Sequence, residues 1–555
     1  MIRGIRLFAI AGAAVLSACG DRAPEWDAAA QEFSLGQLRD AAVLVDRVLN
    51  RGLVITASAD EKLDFKAVRL GKGIVSTTTS ADRERTFVLS QGDPVRLRPS
   101  DEGPALSVLE AGHAAQVKRY ELPDALTSLA LDPAGRYAVV YAGNSAGGTF
   151  IKNPNELIIV DLAAPPSQDN PGRRNLPSNI GGSPQRLTFT DPLHLPAGDR
   201  RLLVVETDRD VMLLDLEHPD RPEVSLPVKD PRTDSRALSP AGIAVDPGEA
   251  GSIRRFPALA VRTNADDNVI IYTLGPSDNA PPENDFIPTP NAAVVGGVPS
   301  DIAFVNTNQG PRLAVMVPSS TTATGFLIKV DDNQTLTAKF ATTYQRISPV
   351  AGFASDRTGV GDQLMLWSTD GRTNSIAFWD LDKVPNIPFG SIDTLKSIET
   401  LNLNGTVASV VSLPERNLKI VETSTSALYV LDPEQHLTNA LSTTGRVMLR
   451  YSREGDRAWA FALSQKALAQ IALVGAHIVA VDVDRPVSDV VEIERSDGGR
   501  ALLALHTLHA PIASLDDTSA WYPGPTVGVT VFDALAPDAA VSRRYAAVLL
   551  EGLAP

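Results

Sequence analysis

The feature that most constrains the fold is a recurring unit of short apolar runs, seen most clearly in residues 126–162. After a first run and a polar turn come a second run at 137–141, a polar loop and a third run at 157–160. These runs are too short and too β-branched for helices, so they predict strands. In the turn at 132–135, Asp-Pro-Ala-Gly, proline fixes φ and glycine accepts conformations that other residues resist. The unit is therefore predicted to be a small antiparallel sheet.

Similar units follow one another at a spacing of roughly 40 to 60 residues, which is typical of propeller repeats. Their first strands are predicted to begin near Ile74, Leu126, Arg186, Ile243, Ile302, Gly352, Val407, Val447 and Val490. Four antiparallel strands per unit, with apolar faces that only neighbouring units can cover, predict an all-β fold, a single β-propeller of four-stranded blades. Nine units are counted and smaller rings are common, so seven to nine blades are expected.

Residues 41–70 leave two interpretations open. The runs 41–49, 53–58 and 65–70 fit the later strands of a unit whose first strand lies elsewhere. Alternatively, residues 35–49 form an amphipathic helix with one apolar face.

The N-terminus has the features of a targeting segment. Two arginines precede the apolar stretch 7–16, which is too short to span a membrane comfortably. Residues 16–19 read Leu-Ser-Ala-Cys, which resembles the bacterial lipobox. The resemblance implies cleavage before Cys19 and acylation of Cys19, so that N-terminal acyl chains attach the protein to a membrane. A plain secretory signal with a chance cysteine is the alternative. Cys19 is the only cysteine, so no intramolecular disulfide can form.

These features divide the chain into a lipoprotein signal peptide (1–18), a tether (19–40) and the propeller (41–555). Gly20 follows Cys19, in place of the Asp that typically retains lipoproteins in the inner membrane of enteric bacteria. The predicted location is therefore the cell envelope, lipid-anchored at the outer membrane and facing the periplasm or the surface.

The charge balance restricts the partners. The chain carries 51 basic and 66 acidic residues, a net charge of −15. Such a surface does not suit nucleic acid, and anionic headgroups repel it, so membrane attachment is assigned to the acyl chains.

At the level of family, the repeats of residues 74–533 resemble the superfamily of YVTN-repeat and lactonase-like propellers. The shared pattern is an Asp-Pro-x-Gly turn, a strand, a polar hairpin and a strand ending in Asp-Leu. The Trp379-Asp380 pair echoes the dipeptide of WD40 blades. The resemblance implies the propeller architecture, and its lactonase-like members imply a hydrolytic site of polar residues around the central channel.

Three local motifs favour structural interpretations. Residues 143–147 fit the G-x-S-x-G of a nucleophile elbow, but no helix follows, so a hairpin loop is expected. His506 and His509 lie three apart on a predicted strand and would face opposite sides, which does not suit one metal. The acidic triplets 266–268 and 331–333 lack EF-hand spacing and fit ordinary turns.

The sequence contains no c-type haem motif, Walker A motif or zincin motif, and its five tryptophans do not fit the repeated pattern of quinoprotein dehydrogenases. No cofactor, metal site or catalytic residue is therefore predicted.

Two functions remain. The first is a non-catalytic binding or scaffold lipoprotein whose partner is an envelope protein or polymer. The second is a periplasmic hydrolase of the lactonase-like type. The long loop 507–526 carries Trp521 and Tyr522, stiff aromatic side chains that are predicted to contact the partner, unless they fold back onto their own blade.

Overall fold

A computed structural model gives the fold of the protein. The structure describes residues 33–60, 62–143, 151–176, 182–219, 221–228, 239–252, 255–276, 285–318, 323–330, 336–342, 344, 346–350, 362–368, 373–384, 393–394, 399–413, 418–425, 427–431, 439–442, 447–462, 466, 468–473, 477–507, 526–537 and 544–549. Within them lie 43 strands, one 3₁₀ turn and no helix long and apolar enough to cross a membrane.

The strands form ten sheets of at least four strands each, which we number as blades in chain order. Blade 1 contains β1 (Phe33–Gln37), β2 (Ala42–Asp46), β3 (Arg51–Ala57) and β4 (Leu63–Arg69). Blade 2 contains β5 (Ile74–Thr79), β6 (Arg85–Ser90), β7 (Ala105–Glu110) and β8 (Lys118–Glu121). Blade 3 contains β9 (Ser128–Leu131), β10 (Tyr137–Tyr141), β11 (Glu156–Asp161) and β12 (Gly172–Asn175). Blade 4 contains β13 (Pro184–Phe189), β16 (Leu203–Thr207), β17 (Asp210–Leu214) and β18 (Val224–Pro227), beside the small hairpin β14 (Leu193–Leu195) and β15 (Gly198–Arg200).

Blade 5 contains β19 (Pro240–Asp246), β20 (Ala258–Thr263), β21 (Asn268–Gly275) and β22 (Ile287–Val294). Blade 6 contains β23 (Asp301–Thr307), β24 (Gly310–Pro318), β25 (Ala323–Lys329) and β26 (Leu336–Thr342), and its fifth strand, β30 (Asp393–Thr394), is parallel to β26. Blade 7 contains β27 (Arg346–Val350), β28 (Gln363–Trp367), β29 (Ser375–Asp380) and β31 (Glu399–Asn402), with the 3₁₀ turn at Leu381–Lys383. Blade 8 contains β32 (Val407–Leu413), β33 (Leu418–Thr423), β34 (Ala427–Leu431) and β35 (Asn439–Ser442). Blade 9 contains β36 (Val447–Tyr451), β37 (Arg457–Ala462), β38 (Leu468–Ala472) and β39 (Ile478–Val481). Blade 10 contains β40 (Asp489–Glu494), β41 (Arg500–Thr507), β42 (Thr526–Asp533) and β43 (Arg544–Leu549).

Each blade buries both faces of its middle strands against its two neighbours. In β3, for example, Leu53 and Ile55 pack against blade 10, whereas Val54 packs against blade 2, because successive side chains point to opposite faces. Among the described residues, ten apolar clusters occur, and each one joins two neighbouring blades. The cluster between blades 10 and 1 closes the ring, so the fold is a single ten-bladed β-propeller.

The expectation of seven to nine blades is wrong, because the chain forms ten. Residues 41–70 belong to a complete blade whose first strand, β1, pairs directly with β2, and no helix forms over 35–49. The pattern of β1 was hidden because only Phe33 and Leu35 alternate before Gln37, and because Gly36 is a poor strand former. A Cβ at Gly36 would lie 2.4 Å from a methyl carbon of Thr86, so the close approach of blade 2 requires glycine there.

A smaller difference concerns blade 7. Its first strand begins at Arg346 and not near Gly352, which lies outside the described residues. Pro349 stands inside this strand, which made the segment a poor strand candidate by sequence. First strands have one free edge, and an edge strand tolerates the missing N–H of proline.

The first strands surround the axis of the ring. Those of several neighbouring blades contact one another, as β1 contacts β5 and β19 contacts β23. Most of their side chains are partly exposed, whereas the second strands are almost wholly buried. First strands therefore line a central opening. We call the face that carries the hairpins between first and second strands the lower face, and the opposite one the upper face.

The seam between blades 10 and 1 is also held by polar contacts. The Glu494 amide donates a hydrogen bond to the Arg39 carbonyl at 2.8 Å. The Arg39 guanidinium pairs with Glu84 of blade 2 at 2.9 Å and with Glu494 at 3.1 Å. One arginine thus links three consecutive blades at the point where the ring closes.

Candidate functional site

The candidate site is a cavity of about 500 Å³ between blades 3 and 4, at the lower face. Its floor is apolar and consists of Ile159 from β11, Leu214 at the end of β17 and Leu216 just after it. Its volume lies within the range of small-ligand sites, roughly 300 to 1,000 Å³. A single side chain or a small molecule would therefore fit.

The cavity exists because β12 begins with a glycine. Gly172 pairs with Ile159, so a side chain at this position would point toward blade 4 and occupy the space. An ideal Cβ at Gly172 would meet only the Ile159 carbonyl oxygen, at 3.8 Å. The φ angle of Gly172 lies outside the left-handed region, so the backbone itself would accept other residues.

An aromatic ring and a guanidinium form one wall. The Arg136 guanidinium carbon lies 4.9 Å from the centroid of the buried Tyr137 ring, a cation–π contact. Burial raises the pKa of the Tyr137 phenol; Arg136 opposes this effect, whereas the carboxylates of Asp161 and Glu217 add to it. The ring thus stands in an acidic environment and already accepts one cation.

The remaining charges of the wall divide into paired and unpaired groups. Arg173 pairs with Glu156 at 2.6 Å, Arg174 pairs with Glu223 and Arg221 pairs with Asp215 at 3.2 Å. In the described part of the chain, no lysine or arginine forms an ion pair with the other three acidic residues of the wall, Asp161, Asp169 and Glu217. The lining contains four arginines and four carboxylates, and Arg136 is the one of these arginines that forms no ion pair within the described residues.

Some charged groups near the ends of the first strands form contacts between neighbouring blades. At the upper face, Arg346 of blade 7 pairs with Asp301 of blade 6 at 3.4 Å. Near the lower face, the buried Glu492 of blade 10 accepts the indole N–H of Trp459 of blade 9 at 3.0 Å. Burial raises the pKa of Glu492, although the indole hydrogen bond opposes the shift. These groups hold neighbouring blades together, which leaves the cavity as the better candidate for binding.

The three site residues that the sequence predicts lie outside the described residues: Cys19, Trp521 and Tyr522. The same holds for Ser145 of the G-x-S-x-G motif, for His509 and for the triplet 331–333. Their predicted roles stay predictions.

The other motifs are described. Asp266 accepts hydrogen bonds from the Asp267 amide and the Asn268 side chain, which is the turn chemistry that the sequence predicted. His506 is buried and contacts the Pro486 carbonyl and Thr530. Within the described residues, no three His, Cys, Asp or Glu side chains are grouped to hold a metal ion.

Sequence reasoning missed the cavity. Its residues come from two blades and are separated by up to 85 positions, Arg136 to Arg221. The signal available in the sequence was weak: a glycine at the start of an outer strand, followed by Arg173-Arg174.

Comparison with known proteins finds only distant structural similarity. No protein-family model matches the chain, and no curated protein matches it either. Among solved structures, it is similar to the dihydro-heme d1 dehydrogenase NirN in complex with DHE, with 11% identity, a TM-score of 0.38 and coverage of 81% of this chain and 74% of that one. It is also similar to the Dos1 propeller (12% identity, TM-score 0.40, 70% and 90% covered) and to a eukaryotic initiation factor (9% identity, TM-score 0.42, 94% and 96% covered). The class that the chain's own sheets define is the β-propeller.

Proposed function

We propose that the protein is a binding propeller whose cavity between blades 3 and 4 receives a positively charged side chain of a protein partner. The observation that carries the proposal is the combination of an apolar floor, an aromatic ring and three carboxylates without ion-pair partners. Such a wall attracts a lysine or arginine, whose aliphatic stem suits the floor and whose cation suits the ring and the carboxylates. The net charge of −15 favours the approach of a basic partner.

Filling the cavity tests this proposal. The probe is acetyl-Gly-Arg-Gly-amide, and its binding is followed by ligand-observed NMR. A single side chain should bind with a dissociation constant of about 1 mM. Gly172→Phe should weaken binding at least about tenfold, because the new ring occupies the space of the ligand side chain.

The matched control is Gly172→Ala, which adds only a Cβ in open space and should bind the probe as the unchanged protein does. Acetyl-Gly-Gln-Gly-amide should bind more weakly than the arginine peptide, and the preference should shrink at high salt. Equal binding by the Phe variant, or by the glutamine peptide, would show that the cavity is not the site.

We further propose that the propeller acts at the cell envelope, anchored by acyl chains on Cys19. The support is the Leu-Ser-Ala-Cys segment at residues 16–19 and the following Gly20. Several acyl chains bind a membrane stably, whereas an acidic domain alone does not. In the native host, Cys19→Ser should move the protein from the outer-membrane fraction to the soluble fraction. A Ser variant that still sediments with membranes would refute acyl anchoring.

Trp521 and Tyr522 are proposed as a separate partner contact, because their loop joins β41 to β42, the second and third strands of blade 10, whose connection belongs to the upper face, opposite the cavity. Stiff aromatic side chains on a loop supply contact area at low entropic cost. Replacing both with Ala should weaken partner binding while the melting temperature changes little. A large loss of melting temperature would instead mean that the two aromatics pack in the core of their blade.

A second candidate function, ester or lactone hydrolysis, is favoured by one specific observation on blade 8, a buried lysine beside an exposed serine.

A further inference from the structure

Blade 8 contains a buried amine in contact with an exposed hydroxyl. The Lys419 Nζ lies 2.8 Å from the Ser412 Oγ. The two residues are direct cross-strand partners in β32 and β33, so their side chains share one face of the sheet. Lys419 is only 7% exposed, whereas Ser412 is exposed on a strand that lines the central opening. A small substrate in the opening can therefore reach the hydroxyl.

The surroundings of Lys419 favour its neutral form. Within the described residues, no carboxylate forms an ion pair with Lys419, and the Ser412 hydroxyl is its hydrogen-bond partner. Burial lowers the pKa of the amine, since an apolar environment disfavours its charge. A neutral amine has a lone pair that can accept the proton of a hydroxyl, which an ammonium group lacks.

The facing blade contributes a polar group. Lys419 lies beside Val421 on the face of blade 8 that packs against blade 7. On blade 7, Gln363 shares its side of β28 with Met365, which belongs to the same interface. Gln363 is 4% exposed, and its Oε1 has no hydrogen-bond partner. Both Gln363 and Lys419 stand at the lower ends of their strands. An amide with unused hydrogen-bonding capacity thus faces the blade that carries the serine–lysine pair.

We propose that Ser412 and Lys419 form a serine–lysine dyad that transfers the acyl group of an ester or lactone, an activity separate from the binding cavity between blades 3 and 4. Such dyads are a known variant of the serine-hydrolase arrangement. The Ser412 hydroxyl gives its proton to the Lys419 Nζ while its Oγ forms a bond to the carbonyl carbon. The bond between that carbon and the leaving alkoxide breaks, and the alkoxide takes the proton from Nζ.

Water then completes the cycle. A water molecule gives a proton to Nζ, and its oxygen attacks the acyl-serine. The carboxylic acid leaves, and Oγ recovers its proton. Lys419 acts as general base and then as general acid, with no net change in the protein.

The experiment is covalent labelling of the full-length protein with a fluorophosphonate probe, with the labelled peptide located by mass spectrometry. We expect labelling on Ser412. Ser412→Ala should reduce the labelling rate about 100-fold or more. Ser409→Ala is the matched control, because Ser409 is an exposed serine of the same strand that contacts Glu422, at 3.1 Å, and no lysine. This control should keep the full rate.

A further variant separates chemistry from structure. Lys419→Arg keeps hydrogen-bond donors and much of the volume, but its guanidinium cannot lose its proton and act as a base, so labelling should fall as it does without Ser412. In the unchanged protein, the labelling rate should rise with pH, with a midpoint below the ordinary pKa of lysine, because burial lowers the pKa of Lys419. Equal labelling of Ser412→Ala, or of folded Lys419→Arg, would overturn the dyad. Gly172→Phe should not affect labelling, so the dyad and the binding cavity succeed or fail independently.

Discussion

His506 is a buried histidine whose neighbours fix its protonation. Its Nδ1 lies 2.8 Å from the Pro486 carbonyl, which can only accept, so Nδ1 carries the proton and donates. Its Nε2 lies 2.7 Å from the Thr530 hydroxyl and can accept a hydrogen bond from that hydroxyl. The neutral ring satisfies both contacts. His506 therefore has a structural role within blade 10, and this role requires no metal.

The pH dependence of stability follows from this environment. Burial lowers the pKa of His506, and Arg485 adds to the effect, although the Pro486 hydrogen bond opposes it. The folded chain therefore binds fewer protons at this site than the unfolded chain, whose pKa is about 6.5. The contribution of His506 to stability is complete above that pH and is lost as the pH falls through the folded pKa.

Comparing the protein with His506→Gln tests this sign. Urea unfolding at pH 7.5, 6.5 and 5.5 should show the unfolding free energy of the unchanged protein falling toward that of the variant as the pH drops. A difference that is constant, or that grows in acid, would contradict the predicted shift.

At the scale of the element, the Asp132–Gly135 turn has the structure that its sequence predicts. The Asp132 side chain accepts the Ala134 amide at 2.9 Å, and its carbonyl accepts the Gly135 amide at 2.8 Å. Gly135 has a φ of 73°, in the left-handed region that other residues adopt only with strain. The turn thus sets the hairpin between β9 and β10.

Gly135→Ala should therefore cost about 1 kcal/mol of unfolding free energy, measured by urea denaturation. Gly172→Ala is the control, because Gly172 lacks the left-handed φ and has open space around it. The control should change stability by less than about 0.5 kcal/mol. Equal losses in both variants would mean that the φ of Gly135 does not determine the cost.

The sequence was informative wherever an element carries its own pattern. The predicted strands 137–141 and 157–160 coincide with β10 and β11 within a residue at each end, because apolar β-branched runs suit strands that are buried on both faces. β1 escaped prediction because the close approach of Thr86 requires a glycine inside it. The cavity and the Ser412–Lys419 pair escaped because contacts across blades, or between strands, leave no linear motif.

At the scale of the whole molecule, stability depends on closure of the ring. β43 pairs with β42, and Val529 and Val531 of β42 lie in the cluster that joins blade 10 to blade 1. Deleting residues 541–555 removes β43, leaves β42 with a free edge and exposes that cluster. We expect a melting temperature lowered by several degrees in one cooperative transition. Deleting only residues 550–555, which follow β43, should have little effect. An unchanged melting temperature without β43 would show that the last blade does not stabilise the ring.

The number of blades is the property on which the other assignments depend. A propeller is closed only if the first and last blades meet, and here the Glu494 amide and the Arg39 carbonyl join them. Electron cryo-microscopy of the purified protein, viewed along the axis of the ring, counts the blades directly. We predict ten blades in a closed ring with an open centre. A closed ring of nine or fewer blades, or an open arc with a gap beside blade 1, would contradict this structure.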